Sequence, residues 1–350
     1  MVMRILLAAA VSLAGMASLA SAQTPTITPT PAGPVKLHGA GATFPAPLYQ
    51  KWIEVYGKAQ PAVQIDYDVV GSGEGVKRFL ANTVDFGASD SAMSDEQISQ
   101  APAGATLVPA TAGILVLAYN LPEVEGTLKW SRAVYADIFL GKIRHWNDPR
   151  IQELNPDLKL PKQVITLVAR QDGSGTTYAM SNHLSAVSEE WRKGPGTGTT
   201  INWPGVTMTA RGNEGVAGRI KRSWGSFGYV EYGFAKRLGL PMIHLENKAG
   251  RYVAPSFERG QATLAANIDK IPANLRVFMP DPDGEAAYPI ISLSWLLLHS
   301  QYADQSKRDA LKGFVSWALA DGQTLSEAEG YIPLPNAVTT LARAAVDRVQ

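Results

Sequence analysis

The sequence predicts an α/β fold in two domains, on three observations. The chain has 350 residues, more than the roughly 250–300 that a single hydrophobic core usually supports. Its hydrophobic fraction is 45%, ordinary for a globular chain and against wholesale disorder. Strand-like and helix-like patterns alternate along it, a rhythm that implies a mostly parallel sheet with helices packed on it.

Met1 to Ala22 reads as a secretory signal: Arg4 supplies the positive start, Ile5 to Ala17 is an apolar run broken only by small residues, and Ala20-Ser21-Ala22 fits the small-x-small cleavage pattern. A membrane anchor is the alternative, but the apolar run is short for a span of ~20 residues and a cleavage pattern follows it. A lipoprotein anchor is excluded because the chain has no Cys. Cutting after Ala22 leaves 328 of the 350 residues and removes Arg4, so that 31 basic face 31 acidic side chains. Gln23 to Gly33 is Thr/Pro-rich and predicts an extended tether. No later apolar run is long enough to cross a bilayer, which points to a periplasmic or exterior location.

Leu37 to Gly41 predicts a strand, and Pro45 to Lys58 a helix with Leu48, Trp52 and Val55 on one stripe. Val63 to Val70 alternates as a strand does; Glu74 to Asn82 predicts a helix and Val84 to Ala88 a strand. Gly113 to Tyr119 is a near-continuous apolar run, as expected of a buried strand. The rhythm then repeats: a helix around Ser131 to Leu140, a strand at Ile165 to Ala169, helices at Ser174 to Leu184 and Asn213 to Arg222, and a strand at Phe227 to Val230. Ile290 to His299 is again strongly apolar, and helices at Ser306 to Leu319 and Pro335 to Val349 close the chain. No fixed-period repeat and no coiled coil is present.

Composition excludes several function classes. A formal charge of +1 makes no case for a general nucleic-acid binder. Zero Cys removes thiol nucleophiles, Cys-ligated zinc and iron–sulfur clusters. Thirty-two Gly and 23 Pro imply many tight loops.

Three of those loops share a design: a strand, a short Gly/Ser/Thr stretch, then a helix start. They are GAGATFPAPLY (Gly39–Tyr49), GSGEGVKRF (Gly71–Phe79) and RQDGSGTTY (Arg170–Tyr178). The first N–H groups of a helix have no intrahelical acceptor, and the helix dipole places partial positive charge there. Glycine lets an anion approach, and Ser or Thr adds a hydroxyl donor. Any one loop is better explained as a plain N-cap and tight turn; three in one chain, one carrying Arg170, weaken that explanation without removing it. Nucleotide motifs do not fit: no G-x-x-x-x-G-K-[ST] is present, and Gly71-Ser72-Gly73-Glu74-Gly75 lacks the spacing of a dinucleotide fingerprint. Around Ser174 the residue two before is Asp172, so the hydrolase elbow G-x-S-x-G fails.

Catalytic and metal patterns are weaker. The five histidines, His38, His145, His183, His244 and His299, are scattered and read as surface or packing residues. Asp281-Pro282-Asp283-Gly284 resembles the opening of a calcium loop, but the later ligands do not follow.

Longer motifs carry a family resemblance. GAGATFPAPLYQKW (Gly39–Trp52), ANTVDFGASDSAMSDE (Ala81–Glu96), RQDGSGTTY, GNEGVAGRI (Gly212–Ile220) and GYVEYGFAK (Gly228–Lys236), supported by LGKIRHWNDP (Leu140–Pro149) and GYIPLP (Gly330–Pro335), resemble the periplasmic phosphate-binding receptors of the bacterial phosphate ABC importer. The resemblance runs in order across nearly the whole mature chain. It implies a two-lobed Venus-flytrap fold with mixed sheets flanked by helices and the ligand in the cleft between lobes. Lobe I would be discontinuous, 37–110 and 290–350; lobe II would be 111–289. Hinge crossovers would lie near 109–111 and 288–292, after a signal peptide 1–22 and a tether 23–36.

The resemblance also implies the contacts. Thr43 and Phe44 would give backbone N–H donors, with the Thr43 hydroxyl adding another, and Ser72 would donate likewise. Arg170 would give a forked pair of bonds, steered by Asp172. Ser174, Gly175 and Thr176 would surround the phosphate. Asp90 would accept a hydrogen bond from the phosphate itself, which sulfate has no proton to make; a site needing such a bond can reject the analogue by ~10⁴–10⁵-fold. The other reading of Asp90 is an N-cap ahead of Ser94-Asp95-Glu96. Glu74 departs from the family pattern and brings negative charge near the site. The implied function is a high-affinity phosphate receptor delivering to transmembrane permease subunits. It would be no enzyme, with no cofactor, metal or nucleic acid, and a monomer. The alternatives are a secreted phosphatase using the same cleft, a receptor or sensor for another tetrahedral anion, and an adhesion role for the C-terminal helices.

Overall fold

In a computed structural model of the chain, residues 33–350 are described; the expected signal peptide and nearly all of the expected tether lie outside the described residues. The tether's last two positions, 35 and 36, already belong to the first strand, β1 (Val35–Gly41). The other strands are β2 (Val63–Val69), β3 (Phe86–Ser89), β4 (Thr106–Tyr119), β5 (Lys129–Trp130), β6 (Thr166–Arg170), β7 (Thr207–Ala210), β8 (Ser226–Glu231), β9 (His244–Glu246), β10 (Tyr252–Val253) and β11 (Ile291–Leu298). Eight of them form one sheet in the order β2-β1-β3-β11-β4-β8-β6-β7, and β10-β9-β5 form a small second sheet.

The large sheet is mixed, where the alternating rhythm predicts a mostly parallel one. β2, β1 and β3 are mutually parallel, and so are β8, β6 and β7. Between these trios β11 runs antiparallel to both β3 and β4, and β4 runs antiparallel to β8. The reason is connectivity: βαβ links carry strands parallel, whereas β11 returns from the far end of the chain to fill the gap between β3 and β4. The fold is therefore mixed α/β with flanking helices.

β4 joins the two halves. Residues Thr106 to Ile114 pair with β11, and Leu115 to Tyr119 pair with β8. Its burial is nearly complete from end to end, which explains why Gly113 to Tyr119 is unbroken apolar sequence: a central strand covered on both faces has no solvent side to alternate with. The C-terminal GYIPLP segment closes on the same strand, where Ala112 and Ile332 exchange backbone hydrogen bonds of 3.3 and 2.8 Å.

Helices cover both faces. Of the expected stripe on Ala46–Ala59, Leu48 and Trp52 are buried and Val55 only partly so; Tyr49 and Tyr56 complete the buried face. Trp52 stacks on Tyr49 and donates to the Gly322 carbonyl at 2.7 Å. In the other half Trp130, Trp146 and Phe227 pack with ring centroids 5.3–6.4 Å apart. A buried indole is favoured where its N–H finds a partner: Trp146 donates to Gly225 O at 2.9 Å, whereas the Trp130 N–H has none and is held by ring packing alone. The helix expected from Glu74 starts two residues earlier, at Ser72 (Ser72–Leu80), so Ser72 lies in its first turn.

Replacing Trp146 with Ala removes a wholly buried indole and its hydrogen bond. The expected loss of unfolding free energy is about 3–5 kcal/mol, read as a lower midpoint in urea denaturation.

Candidate functional site

The two parallel trios aim their carboxyl ends at one place. Thr43 follows β1, Ser72 follows β2 and Asp90 follows β3, so three adjacent strands deliver them side by side. From the other half, Arg170 ends β6, Asn213 follows β7 and Glu231 ends β8. Ligands of open α/β sheets bind outside the carboxyl ends of strands, where helix N-termini gather. Four helices begin here: Ala46–Ala59, Ser72–Leu80, Gly175–Val187 and Gly212–Arg222.

The residues meet across the middle of the sheet. Thr43, Phe44, Ser72, Asp90, Arg170, Ser174, Gly175 and Thr176 are all buried. The Asp90 backbone N–H donates to Ser72 Oγ at 3.2 Å, and the Ser72 hydroxyl lies 3.4 Å from Asp90 Oδ2. Gly173 O, on the far loop, accepts from the Gly73 N–H at 2.9 Å. Gly175 packs so closely that a Cβ there would sit 2.5 Å from Asp90 Cβ and 2.7 Å from Ser72 Oγ; only glycine allows this approach. Ser174 caps its helix by accepting from the Thr177 N–H at 3.1 Å. The Phe44 carbonyl is held by the Tyr331 hydroxyl at 2.7 Å.

Arg170 is the sole cation in this cluster, and its side chain is 1% exposed. A buried guanidinium needs a counter-charge and hydrogen-bond acceptors. Asp172 provides both: it accepts from Nε at 2.9 Å and also from Nη2. Burial pushes the Asp172 carboxyl up, but the Arg170 hydrogen bond and charge, with the Gly212 N–H at 3.0 Å, bring it below the ordinary range. This chelate points Nη1 toward Thr176 Oγ1, at 3.4 Å.

Asp90 is placed differently. Burial pushes its carboxyl up to about 7, against the Ser294 hydroxyl at 2.8 Å, the Arg170 charge and Ser72, which all favour the ionised form. It is no helix cap: Ser94 caps Asp95–Ser99, completing a capping box with Gln97. The hydroxyls around it are donors, so the cluster offers many hydrogen-bond donors and one carboxylate acceptor of adjustable charge.

Two contributors escape sequence reading. Asn213 and Ser294 both contact the cluster, yet neither sits in a Gly/Ser/Thr loop. Asn213 does follow a strand and open a helix, the same design without the hydroxyl. Ser294 lies within β11, and only strand register shows that it faces Asp90. Glu74 does not join the cluster; its carboxylate is held by Arg78 at 3.0 Å, in a groove of about 1240 Å³ that opens beside Thr43, Gly73 and Asp172. Asp281 is engaged by Arg132 through two bonds of 2.7 Å, and Asp283 by Lys248 and Lys270. His183 is wedged between Tyr135 and Pro280 O, where burial drives its pKa down to about 4. Among the described residues no three His, Asp or Glu side chains gather as a metal site, and no helix is long and apolar enough to cross a membrane.

Known proteins bear directly on this geometry. Residues 22–322 match the model of a PBP superfamily domain. The chain is 40% identical over 301 residues to the phosphate-binding protein PstS of Pasteurella multocida, covering 86% of each. It is 37% identical to the phosphate-binding protein PstS of Methanocaldococcus jannaschii, covering 89% of this chain and 85% of that one. Its fold is similar to that of a high-affinity periplasmic phosphate-binding protein (PfluDING) solved with bound phosphate, with a TM-score of 0.73, 20% identity, and coverage of 89% of this chain and 93% of that one. A phosphate-binding protein from Stenotrophomonas maltophilia superposes with a TM-score of 0.69 at 19% identity, with the same coverage.

The buried carboxyls set a pH dependence. Burial likewise pushes Glu231 up to about 8, opposed by the Gly233 N–H at 2.8 Å and the Arg237 charge. Asp90 and Glu231 both have folded pKa values above their ordinary 3.8 and 4.5, while His183, held near 4 against an ordinary 6.5, opposes them on the acid side, so it is between about pH 6.5 and 8 that the native state binds more protons than the unfolded one. Stability then falls as pH rises through this window. Asp172, shifted the other way, loses its contribution only on acidification. In ligand-free buffer the urea midpoint at pH 6.5 is expected to exceed that at pH 8, by on the order of 2 kcal/mol in unfolding free energy. Glu231→Gln should flatten the slope; an unchanged slope in that variant rules Glu231 out as a source.

Proposed function

The chain belongs to the PBP superfamily and, within it, to the PstS phosphate-binding proteins; on that premise we propose that it captures inorganic phosphate as the receptor of an ABC-type importer and delivers it to transmembrane permease subunits from the periplasm. The observation that carries this reading is the convergence of two strand trios and four helix N-termini on one buried cluster holding Arg170 and Asp90. Such a cluster is built to strip water from a small anion and replace it with fixed donors.

Each residue then has a role. The N–H groups of Thr43, Phe44 and Ser72 donate to phosphate from helix starts, where no intrahelical acceptor competes, and Ser174, Gly175 and Thr176 surround it at a third. The hydroxyls of Thr43, Ser72, Ser174 and Thr176 add donors. Arg170 contributes Nη1 and Nη2 as a fork, with Asp172 holding it and offsetting its charge. Asp90 takes part in the one bond whose proton comes from phosphate. The lobes divide as 37–110 with 290–350, and 111–289. The register shift of β4 against β11 between Pro109 and Thr111, and the start of β11 at Ile291, support crossovers near 109–111 and 288–292. Closing of the lobes around phosphate selects the form that docks on the permease.

A hydrolase reading has less support. Ser174 Oγ accepts from the Thr177 N–H, and Thr176 Oγ1 from Arg170 and Asn213. A nucleophilic hydroxyl needs a base beside it, and these have donors.

The raised Asp90 pKa sharpens the ion test. Where Asp90 is ionised, only an ion carrying a proton satisfies it. Where Asp90 holds the proton itself, it can donate to sulfate. Calorimetry at pH 8 is expected to show phosphate binding and sulfate rejection of about 10⁴-fold or more. Sulfate should compete increasingly as pH falls below about 7, and Asp90→Asn should lose at least about tenfold of the pH 8 discrimination. Comparable binding of both ions to the native chain at pH 8 would sink this role for Asp90.

A further inference from the structure

Asn213 is wholly buried, and its amide spends every hydrogen-bonding group it has. Nδ2 donates to Thr43 Oγ1 at 2.9 Å and to Thr176 Oγ1 at 3.1 Å. The backbone N–H of Asn213 donates to Thr43 Oγ1 as well, at 3.1 Å. Oδ1 accepts from the Glu231 backbone N–H at 3.0 Å. That last bond fixes the amide's orientation, because a flipped amide would set Nδ2–H against the Glu231 N–H, donor against donor.

The consequence falls on the two hydroxyls. A threonine Oγ has two lone pairs and one hydrogen. Thr43 Oγ1 receives two bonds from Asn213. Thr176 Oγ1 receives one from Asn213 and one from Arg170 Nη1. Both hydroxyls therefore have their acceptor capacity filled and keep only a hydrogen to give. The two threonines come from opposite trios, Thr43 after β1 and Thr176 after β6, so one amide sets the polarity on both sides of the site.

We propose that Asn213 is a specificity-determining positioning residue: by filling the acceptor sites of Thr43 and Thr176 it makes both hydroxyls obligate donors, which leaves Asp90 as the single acceptor presented to the anion. This rests on the phosphate reading of the site. Without Asn213 each hydroxyl is free to rotate and to accept, and the site loses its fixed pattern of donors around one acceptor.

The test is a coupling measurement by phosphate calorimetry on the full mature chain. Asn213→Ala is compared in the native background and in a Thr43→Val/Thr176→Val background, with thermal melts confirming the folded state of each. If Asn213 acts through the hydroxyls, its removal weakens phosphate binding by about tenfold or more in the native background and by less than about threefold where the hydroxyls are gone. Asn213→Asp keeps the acceptor for the Glu231 N–H but replaces two donor hydrogens with lone pairs, so both hydroxyls turn toward it; it should lose more affinity than Asn213→Ala, and it reads the same effect should the Ala variant fail to fold. Equal factors in both backgrounds, or Asn213→Asp binding phosphate as the native chain does, would overturn the inference alone. A native chain that binds no phosphate would overturn the reading of the site, and this inference with it.

Discussion

The buried guanidinium of Arg170 is the constraint from which the rest of the site follows. A charge held at 1% side-chain exposure is tolerable only with a counter-ion and a full set of acceptors. Asp172 meets most of that demand from two residues away, and the chelate aims the remaining edge of the guanidinium inward. Because Asp172 offsets the charge, the cluster is not strongly positive and the protein needs no basic surface. On the proposed function, selectivity rests on the number and direction of donors and on Asp90, not on net charge. That is consistent with a chain whose formal charge is only +1.

The fold delivers these groups through a shared strand. β4 pairs with β11 along its first part and with β8 along its second, so one parallel trio joins it directly through β8 and the other through β11, which pairs with β3. The carboxyl ends of the trios face each other over it, and the loops touch at glycines: Gly73 donates to Gly173, and Gly175 lies against Asp90 and Ser72. Close approach of backbones brings the starts of separate helices within reach of one another, as the proposed binding of one small ion requires. A side chain at Gly175 would hold them apart.

Much of this was legible in the sequence. The alternating rhythm placed β1, β2, β3, β6 and β8 and the main helices to within a few residues, because packed helices and strands repeat with their own periods; Ile290 to His299, read only as strongly apolar, holds β11. The three Gly/Ser/Thr loops were visible as helix starts, and the motif resemblance named the residues in them. Short elements were missed: β5, β7, β9, β10 and the helices Pro149–Leu154, Glu189–Lys193 and Phe257–Ala266 are too brief or too polar to show a period. The rhythm alone implied a mostly parallel sheet, since nothing local in Ile290 to His299 reveals the direction in which that strand enters; the family resemblance implied the mixed sheet that is found.

The sequence by itself determined which segments become strands and helices and which helix starts can receive an anion, because those properties depend on neighbours within a few residues. It also determined that one Arg and one Asp with a flanking Asp carry the charge. Only the tertiary structure decided that Asn213, 170 positions from Thr43, fills that hydroxyl's lone pairs, that Ser294 meets Asp90 across 204 positions, and that burial lifts Asp90 to about 7. Hydrogen-bond partners and desolvation depend on what the folded chain brings together and shuts away from water. No pattern of spacing along the chain encodes either one.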